Sequence, residues 1–253
     1  MAQKMTRERR DEIARTLIRD GKVSAAELAR RYAVSNETIR KDLLWLEGRG
    51  VAEKSYGGAI ATSQAMEKSF FEKATRNPKE KLRIAKAVAQ MVPAGAAVLL
   101  DSGSTVAEVA RQLSSRTDIS FFTNSLEAAQ LLAEKKRPVC MLGGAIRLSS
   151  RAATGAWATE MLSQLNADVA ILGTSGFEGS AGPCVESMEE CEVKRAMLRA
   201  ARTSIVAADS TKSSCRAPMR FAAWSEVSLL VTDAGIDPEL LGELRDSVET
   251  IVI

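Results

Sequence analysis

Seven short apolar runs alternate with amphipathic stretches from residue 79 onward, and this alternation is the strongest constraint on the fold. The runs cover residues 97–100, 119–122, 139–142, 169–172, 204–208, 227–231 and 250–253. They are continuous rather than alternately polar, as in strands buried on both faces, and stretches with helical spacing separate most of them. The pattern predicts an α/β domain with a largely parallel sheet covered by helices.

The first run leads into a small polar loop and then directly into a predicted helix. Ligands of parallel sheets bind at the carboxyl ends of strands. A hydroxyl-rich loop at a helix N-terminus offers N–H groups and the positive end of the helix dipole to an anion, so this loop is a candidate phosphate site. An ordinary helix cap is the alternative. The residues concerned are Asp101, Ser102, Gly103, Ser104 and Thr105.

Polar residues also follow three other runs of the predicted sheet. They are Asn124 within residues 123–125, Gly143 and Gly144, and Lys212 within residues 209–212. Each loop alone is explained by a turn, but the carboxyl ends of parallel strands share one edge. A sugar phosphate would find anion donors in residues 102–105 and at Lys212, and hydroxyl partners at Asp101 and Asn124. The glycines form neither GxGxxG nor a P-loop, so no dinucleotide or nucleoside triphosphate is indicated.

Residues 24–46 have the pattern of two short amphipathic helices joined by a tight turn. Ser24 and Glu27 predict a capping box for the first helix, and Ser35 an N-cap for the second. The second helix has an apolar face at residues 39, 43 and 46. Polar side chains off that face are placed to contact DNA: Ser35, Asn36, Thr38, Arg40 and Lys41. A structural hairpin with a solvated basic face is the alternative.

The surroundings of these two helices favour the DNA-binding interpretation. A helix is predicted near residues 7–19, and residues 51–56 form a short apolar and basic segment that ends in Gly57 and Gly58. Three helices and a β-ribbon make a winged helix-turn-helix. Up to residue 60 the chain has 13 Lys and Arg against 9 Asp and Glu, whereas the remainder has 22 against 23. This local basic excess suits phosphate contacts by a small DNA-binding head.

Composition limits the other function classes and the domain plan. The chain has no histidine, which removes the usual base of a serine or cysteine hydrolase, and its four cysteines lack CxxC spacing, so no metal or cofactor is predicted. Cys140 lies in an apolar run and is expected to be buried. No apolar stretch is long enough to span a membrane, and a cytoplasmic protein is expected. We predict a DNA-binding domain at 1–58, a linker at 59–78 and a ligand-binding domain at 79–253.

In combination these motifs resemble the DeoR family of bacterial transcriptional regulators over nearly the whole chain. The residues that carry the resemblance are Val34-Ser35, Thr38-Ile39-Arg40-Lys41-Asp42-Leu43, Gly57-Gly58-Ala59, Glu80-Lys81, Asp101-Ser102-Gly103-Ser104-Thr105, Thr123-Asn124-Ser125-Leu126, Gly143-Gly144, Asp209-Ser210-Thr211-Lys212 and Thr232-Asp233. The resemblance implies an operator-binding head joined to an effector domain similar to ribose-5-phosphate isomerase. It also implies that a phosphorylated sugar is sensed and a catabolic operon repressed, with some similarity to regulators of hexitol and amino-sugar operons.

The resemblance also concerns Glu190 and Lys194, which stand where relatives often have similar residues lining the effector pocket. Their spacing equally fits an i,i+4 surface ion pair, which is the more common arrangement on sequence alone. The chain departs from the family pattern at Tyr56, where many relatives have histidine, and at Ser213, where they have phenylalanine. The second departure leaves the role of Lys212 open.

Two functions from different classes follow. The first is a repressor that binds operator DNA and is released by a phosphorylated sugar. The second is a sugar-phosphate isomerase or deaminase with an attached DNA-binding head, which would use carboxylates and a lysine. For the repressor we expect a homo-oligomer, because one head of about 55 residues buries too little surface for typical operator affinity and paired heads bind repeated half-sites. No membrane partner is expected.

Overall fold

The structure is a computed structural model that describes residues 6–49, 51–61, 69–177 and 179–253. The chain divides into two units, Met1–Lys68 and Ser69–Ile253. The sequence predicts a linker between them at residues 59–78, of which residues 62–68 lie outside the described residues. The remainder of that range contains most of a strand that ends at Ala61 and a helix at Phe70–Ala74, which belongs to the second unit.

The first unit is a winged helix-turn-helix, as predicted. It contains α1 (Thr6–Asp20), β1 (Lys22–Ser24), α2 (Ala25–Tyr32), α3 (Asn36–Glu47), β2 (Ala52–Ser55) and β3 (Gly58–Ala61). Strand β1 is absent from the sequence prediction; it pairs antiparallel with β3, which also pairs with β2. A Cβ atom on Gly58 would lie 1.9 Å from the carbonyl oxygen of Val23, so only glycine fits where these strands meet.

Both predicted N-caps of the helix-turn-helix are present. The Ser24 hydroxyl accepts from the Glu27 N–H at 3.5 Å, and the Ser35 hydroxyl accepts from the Thr38 N–H at 3.1 Å. Among the described residues the Glu27 side chain does not return the bond, so the predicted capping box is half formed. The apolar faces of the three helices meet in one core whose main residues are Ile13, Leu17, Leu28, Ile39, Leu43 and Leu46.

All seven predicted apolar runs form strands of one parallel sheet in the second unit. In chain order this unit contains α4 (Phe70–Ala74), α5 (Pro78–Met91), β4 (Ala97–Leu100), α6 (Ser104–Leu113), β5 (Ser120–Thr123), α7 (Leu126–Glu134), β6 (Val139–Met141), β7 (Ala145–Arg147), β8 (Ala152–Thr154), α8 (Ala156–Ser163), β9 (Ala167–Leu172), β10 (Gly176–Phe177), β11 (Pro183–Val185), α9 (Met188–Arg199), β12 (Ala201–Ala207), β13 (Met219–Arg220), β14 (Leu229–Thr232), α10 (Pro238–Arg245) and β15 (Glu249–Val252). The strand order of the main sheet is β15-β14-β12-β9-β4-β5-β6.

Helices cover both faces of the main sheet. Side chains alternate along each strand, so Val98 and Leu100 of β4 enter one core and Leu99 enters the other. Helices α5, α6 and α7 pack on the first core, and α8, α9 and α10 on the second. Because neighbouring strands are parallel, the loops that leave their carboxyl ends share one edge of the sheet.

Five short strands outside the main sheet are absent from the sequence prediction. Strands β7 and β8 form an antiparallel hairpin, and β10, β11 and β13 form a small antiparallel sheet. Each has only two or three residues, too few to show a period. The prediction that Cys140 is buried is wrong, because β6 is the edge strand of the main sheet and leaves this side chain exposed. No helix within the described residues has the length and apolar character needed to cross a membrane.

Candidate functional site

Helix α3 presents the predicted DNA-contacting side chains on its outer face. Ile39 is fully buried against the core, whereas its neighbours Arg40 and Lys41 are exposed. The other predicted contacts are exposed or half-buried at the start of the helix: Ser35, Asn36 and Thr38. A groove of about 310 Å³ separates α3 from the β2–β3 ribbon, and Tyr56 at the tip of that ribbon is fully exposed. Helix and ribbon thus offer two adjacent polar surfaces of the kind that winged helices apply to a duplex.

A buried ion-pair cluster fixes α3 to α1, and the sequence reasoning missed it. The Asp42 carboxylate is 1% exposed and accepts hydrogen bonds from Nε of Arg9 and Nε of Arg10, each at 2.7 Å. The guanidinium of Arg10 also lies 4.8 Å from the ring centre of Trp45. The position of Asp42, three residues after Ile39 and beside the apolar face of the helix, is the sequence signal that would have indicated this cluster.

The N-terminus of α6 opens into a cleft at the edge where the strands of the main sheet end. Gly103 precedes the helix with a φ of +123°, a conformation that L residues rarely adopt, and no side chain caps the helix. Residues 102–105 all line the cleft. The first turn therefore places its N–H groups and the positive end of the helix dipole beside this space.

Three more of the predicted site residues line the same cleft: Glu190 and Lys194 from α9, and Lys212 from the loop after β12. They join the α6 N-terminus although residues 102 and 212 are far apart in the sequence. With Lys73 of α4, three lysines and a helix N-terminus line the cleft together with the Glu190 carboxylate, and the ammonium group of Lys194 is also paired with the Asp101 carboxylate. This balance favours an anion as the occupant.

Lys194 is held by a buried ion pair with Asp101. The two side chains are 3% and 1% exposed as residues, and Nζ of Lys194 donates to Oδ2 of Asp101 and, at 2.9 Å, to the carbonyl oxygen of Gly173. Oδ2 of Asp101 also accepts from the Gly173 N–H at 3.0 Å, whereas its buried Oδ1 has no hydrogen-bond partner in the part of the chain that the structure describes. The pair ties α9 to the ends of β4 and β9 at the floor of the cleft.

The expected i,i+4 surface ion pair between Glu190 and Lys194 does not form. Both residues are buried, and each interacts with a different element: Lys194 with Asp101, and Glu190 with the Arg147 guanidinium at 3.6 Å. The interpretation as a surface pair is wrong because this side of α9 packs against the sheet edge instead of facing solvent. Both side chains are directed into the cleft region.

Lys212 is carried by a loop that buried carboxylates anchor. Asp233 accepts from the N–H and the hydroxyl of Ser210, at 2.7 and 2.9 Å. Asp209 is 2% exposed and accepts from the amide of Asn77 at 2.8 Å. These bonds fix the start of the loop, so Lys212 reaches the cleft from an ordered backbone.

The remaining predicted residues serve the hairpin beside the cleft and are not among the described residues that line it. The backbone carbonyl of Asn124 accepts from the Ala153 N–H at 2.8 Å, and its side-chain amide donates to the Ala153 carbonyl at 3.4 Å. Its buried Oδ1 has no hydrogen-bond partner among the described residues. Gly144 passes so close to Thr154 that a Cβ would lie 2.4 Å from the Thr154 carbonyl oxygen. Gly143 donates to the sulfur of Met161 at 3.1 Å.

Sequence reasoning missed seven of the described residues that line the cleft: Phe70, Lys73, Ser150, Gly173, Thr174, Ser175 and Val185. Phe70 and Lys73 belong to α4, which lies within the predicted linker. The aromatic pair at residues 70 and 71 predicts docking, but no sequence signal indicates where. The buried Ser150 hydroxyl has no hydrogen-bond partner within the described ranges, so it is available to bond an occupant of the cleft.

Lys81 of α5 is a buried lysine close to this region. Its Nζ donates to the carbonyl oxygens of Lys73 and, at 2.7 Å, of Arg76, where α4 ends. Burial, together with the positive charges of Lys212, Arg76 and Lys73, lowers the pKa of Lys81 from 10.5 to about 8, against the opposing effect of Asp209. The amine therefore loses its proton in the folded chain at a pH where an unfolded lysine keeps it.

We expect Lys81 to make stability rise with pH above about 8. Between the folded and unfolded pKa values the unfolded chain binds more protons, so raising the pH favours the folded state. Relative to Lys81→Met, the wild-type chain is expected to gain about 1 kcal/mol in free energy of unfolding from pH 7 to pH 9. Denaturant titrations of both proteins at the two pH values measure the free energies of unfolding. The same difference between wild type and Lys81→Met at pH 7 and pH 9 would contradict the expectation.

Two family models match the chain. The model for the DeoR C terminal sensor domain matches residues 76–234, and the model for the DeoR-like helix-turn-helix domain matches residues 9–65. Together they cover most of both units and include the α3 surface and the cleft residues other than Phe70 and Lys73.

Similar proteins are named as transcriptional regulators and not as isomerases or deaminases. A protein of Escherichia coli O157:H7 named for repression of the aga operon is 32% identical, over 98% of this chain and 94% of that protein. The regulator GlpR of Haloferax volcanii is 32% identical, over 92% of this chain and 91% of its own length. A glycerol-3-phosphate regulon repressor of Haemophilus influenzae is 30% identical, over 97% and 96%.

Solved structures match more distantly. Ribose 5-phosphate isomerase A of Methanocaldococcus jannaschii is 20% identical with a TM-score of 0.41, over 54% of this chain and 55% of that chain. Translation initiation factor eIF-2B of Pyrococcus horikoshii OT3 is 15% identical with a TM-score of 0.45, over 91% and 90%.

Proposed function

The chain belongs to the DeoR family of transcriptional regulators, and from this membership we propose that it represses a sugar-catabolism operon until a phosphorylated sugar releases it. In this proposal the first unit binds operator DNA through α3, and the cleft of the second unit binds the sugar phosphate as effector. The names of its relatives, which refer to the aga operon and the glycerol-3-phosphate regulon, support a phosphorylated carbon source as the effector.

The observation that carries the effector assignment is the uncapped N-terminus of α6 facing Lys194 and Lys212. A phosphate there would accept backbone N–H bonds from the first helical turn and charge-assisted bonds from the lysines. Glu190 and Ser150 offer polar partners for sugar hydroxyls. Asp101, Asn124, Gly143 and Gly144 remain predicted effector residues, and Asp101 also positions Lys194.

We propose that the repressor is a homo-oligomer in the cytoplasm. One small head makes few base contacts, and two heads on repeated half-sites supply the affinity that specific repression needs. A protein that controls an operon must also reach chromosomal DNA. Both statements rest on the proposed function.

Replacing Arg40 tests the DNA-binding surface. Arg40→Ala is expected to weaken binding to a duplex selected by the wild-type chain by about 1–3 kcal/mol. If Arg40 contacts a base, preference relaxes at one position; if it contacts a phosphate, all sequences weaken equally and the salt slope falls by about one. The control is Arg83→Ala, an exposed site on α5 with the same charge change. Unchanged affinity after replacing both Arg40 and Lys41 would rule out α3 as the reading helix.

A further inference from the structure

The cleft is too small, as it stands, for a sugar phosphate. Its open volume is about 50 Å³. Small-molecule sites typically have several hundred Å³. An occupant therefore requires one wall of the cleft to shift.

Helix α4 is the shortest of the three described α-helices that line the cleft. It has five residues, whereas the opposite walls belong to α6, α9 and strand ends that pack in the two large cores. Phe70 and Lys73 line the cleft from α4. Phe70 anchors this helix as a buried side chain but belongs to neither large core, and a short helix outside those cores moves at lower cost than an element embedded in one.

Within the described part of the chain, contacts on both sides of α4 lead to loops that carry cleft residues, and Lys81 of α5 also bonds to the carbonyl oxygens of Lys73 and Arg76. The Phe70 N–H donates to the carbonyl of Ser149 at 2.8 Å, next to Ser150. At the other end, the Asn77 amide donates to Asp209 at 2.8 Å and to the Thr211 hydroxyl at 3.2 Å, next to Lys212. An occupant that displaces residues 150 or 212 thus acts on both ends of the segment.

From these contacts we propose that α4 is the adjustable wall of the effector cleft and that Phe70 and Lys73 contact the bound phosphorylated ligand. This rests on the proposed function. Lys73 supplies a third ammonium group to the phosphate, and Phe70 supplies an apolar surface to the ligand. Because residues 62–68 join this segment to β3, the residues that contact the ligand lie at the start of the second unit, directly after the connection to the DNA-binding head.

Hydrogen–deuterium exchange on the full chain tests the wall. The probes are inorganic phosphate and glycerol 3-phosphate, each against chloride at equal ionic strength. Slower exchange is expected in residues 69–77 together with residues 102–107. Protection of residues 102–107 alone would overturn the role of α4 while leaving the phosphate site in place. Protection of neither segment would overturn the proposed effector site, and the role of α4 with it.

Matched lysine variants test the contact itself. Lys73→Ala is expected to weaken phosphate binding about tenfold, because it removes a charge-assisted bond. Lys79→Ala removes the same charge from an exposed site on α5 outside the cleft and is expected to change binding less than about twofold. Equal effects of the two substitutions would contradict the contact. Phe70→Leu keeps an apolar side chain at this position and is expected to weaken the binding of glycerol 3-phosphate more than the binding of inorganic phosphate. An equal loss of affinity for the two probes would contradict the Phe70 contact.

Discussion

Replacing Lys194 with methionine is expected to lower the free energy of unfolding of the second unit by about 3–5 kcal/mol. The substitution leaves the Asp101 carboxylate, 1% exposed, without its charged partner and with a single N–H donor from Gly173. A buried charge deprived of its partner costs far more than the net contribution of the pair. Denaturant unfolding at pH 7 measures the loss through Trp224, which is buried in this unit beside Phe177.

Two further variants separate the ion pair from general damage. Adding Asp101→Asn to Lys194→Met removes the orphaned charge and is expected to recover at least half of the lost stability. Lys135→Met at an exposed site is expected to change it by less than about 0.5 kcal/mol. A Lys194→Met chain within about 1 kcal/mol of the wild type would show that Asp101 does not depend on this lysine.

Replacing Ser104 with glutamate is expected to weaken effector binding about 100-fold or more. The new carboxylate would stand at the first residue of α6, where the phosphate is proposed to bind, and like charges in contact cost several kcal/mol. The fold should persist, because acidic residues are favourable in a first helical turn. A thermal-shift panel of sugar phosphates first identifies the compound that stabilises the wild-type chain most. Isothermal titration with that compound then measures the affinity of both chains.

Ser104→Gln is the matched control, since glutamine has nearly the size of glutamate without its charge. A much smaller loss of affinity is expected for it. Equal losses for the two variants would mean that bulk, not charge, blocks the site. Normal binding by Ser104→Glu would place the phosphate elsewhere.

The strands of the main sheet were predictable from the pattern of apolar residues in the sequence. The main-sheet strands lie within three residues of their predicted bounds, because a strand buried on both faces shows as a continuous apolar run. The largest error is at the start of β12, which begins at Ala201 although the predicted run begins at residue 204. The prediction began too late because the exposed residues Arg202 and Thr203 interrupt the apolar pattern. The short antiparallel strands were missed because two or three residues carry no period.

From the residue pattern itself, the cleft was predictable only where a polar residue directly follows a predicted strand; Glu190 and Lys194 were reached through the family resemblance. Residues 102–105 and Lys212 satisfy that condition. The partner of Asp101 does not, since Lys194 lies 93 positions later in the sequence and meets it only through packing of α9 on the sheet. Phe70 and Lys73 lie before the first strand, so no rule about strand ends reaches them.

The most direct test of the central claim is operator affinity with and without the effector, in the wild-type chain and in Ser104→Glu. If DNA and effector oppose each other's binding, saturating sugar phosphate lowers the operator affinity of the wild-type chain 5- to 150-fold, the usual range of such coupling. The operator affinity of Ser104→Glu is expected to stay unchanged, because this variant does not bind the effector. By linkage, operator DNA must weaken sugar-phosphate binding by the same factor. An operator affinity that the sugar phosphate leaves unchanged or tightens, or one that falls equally in Ser104→Glu, would contradict the account.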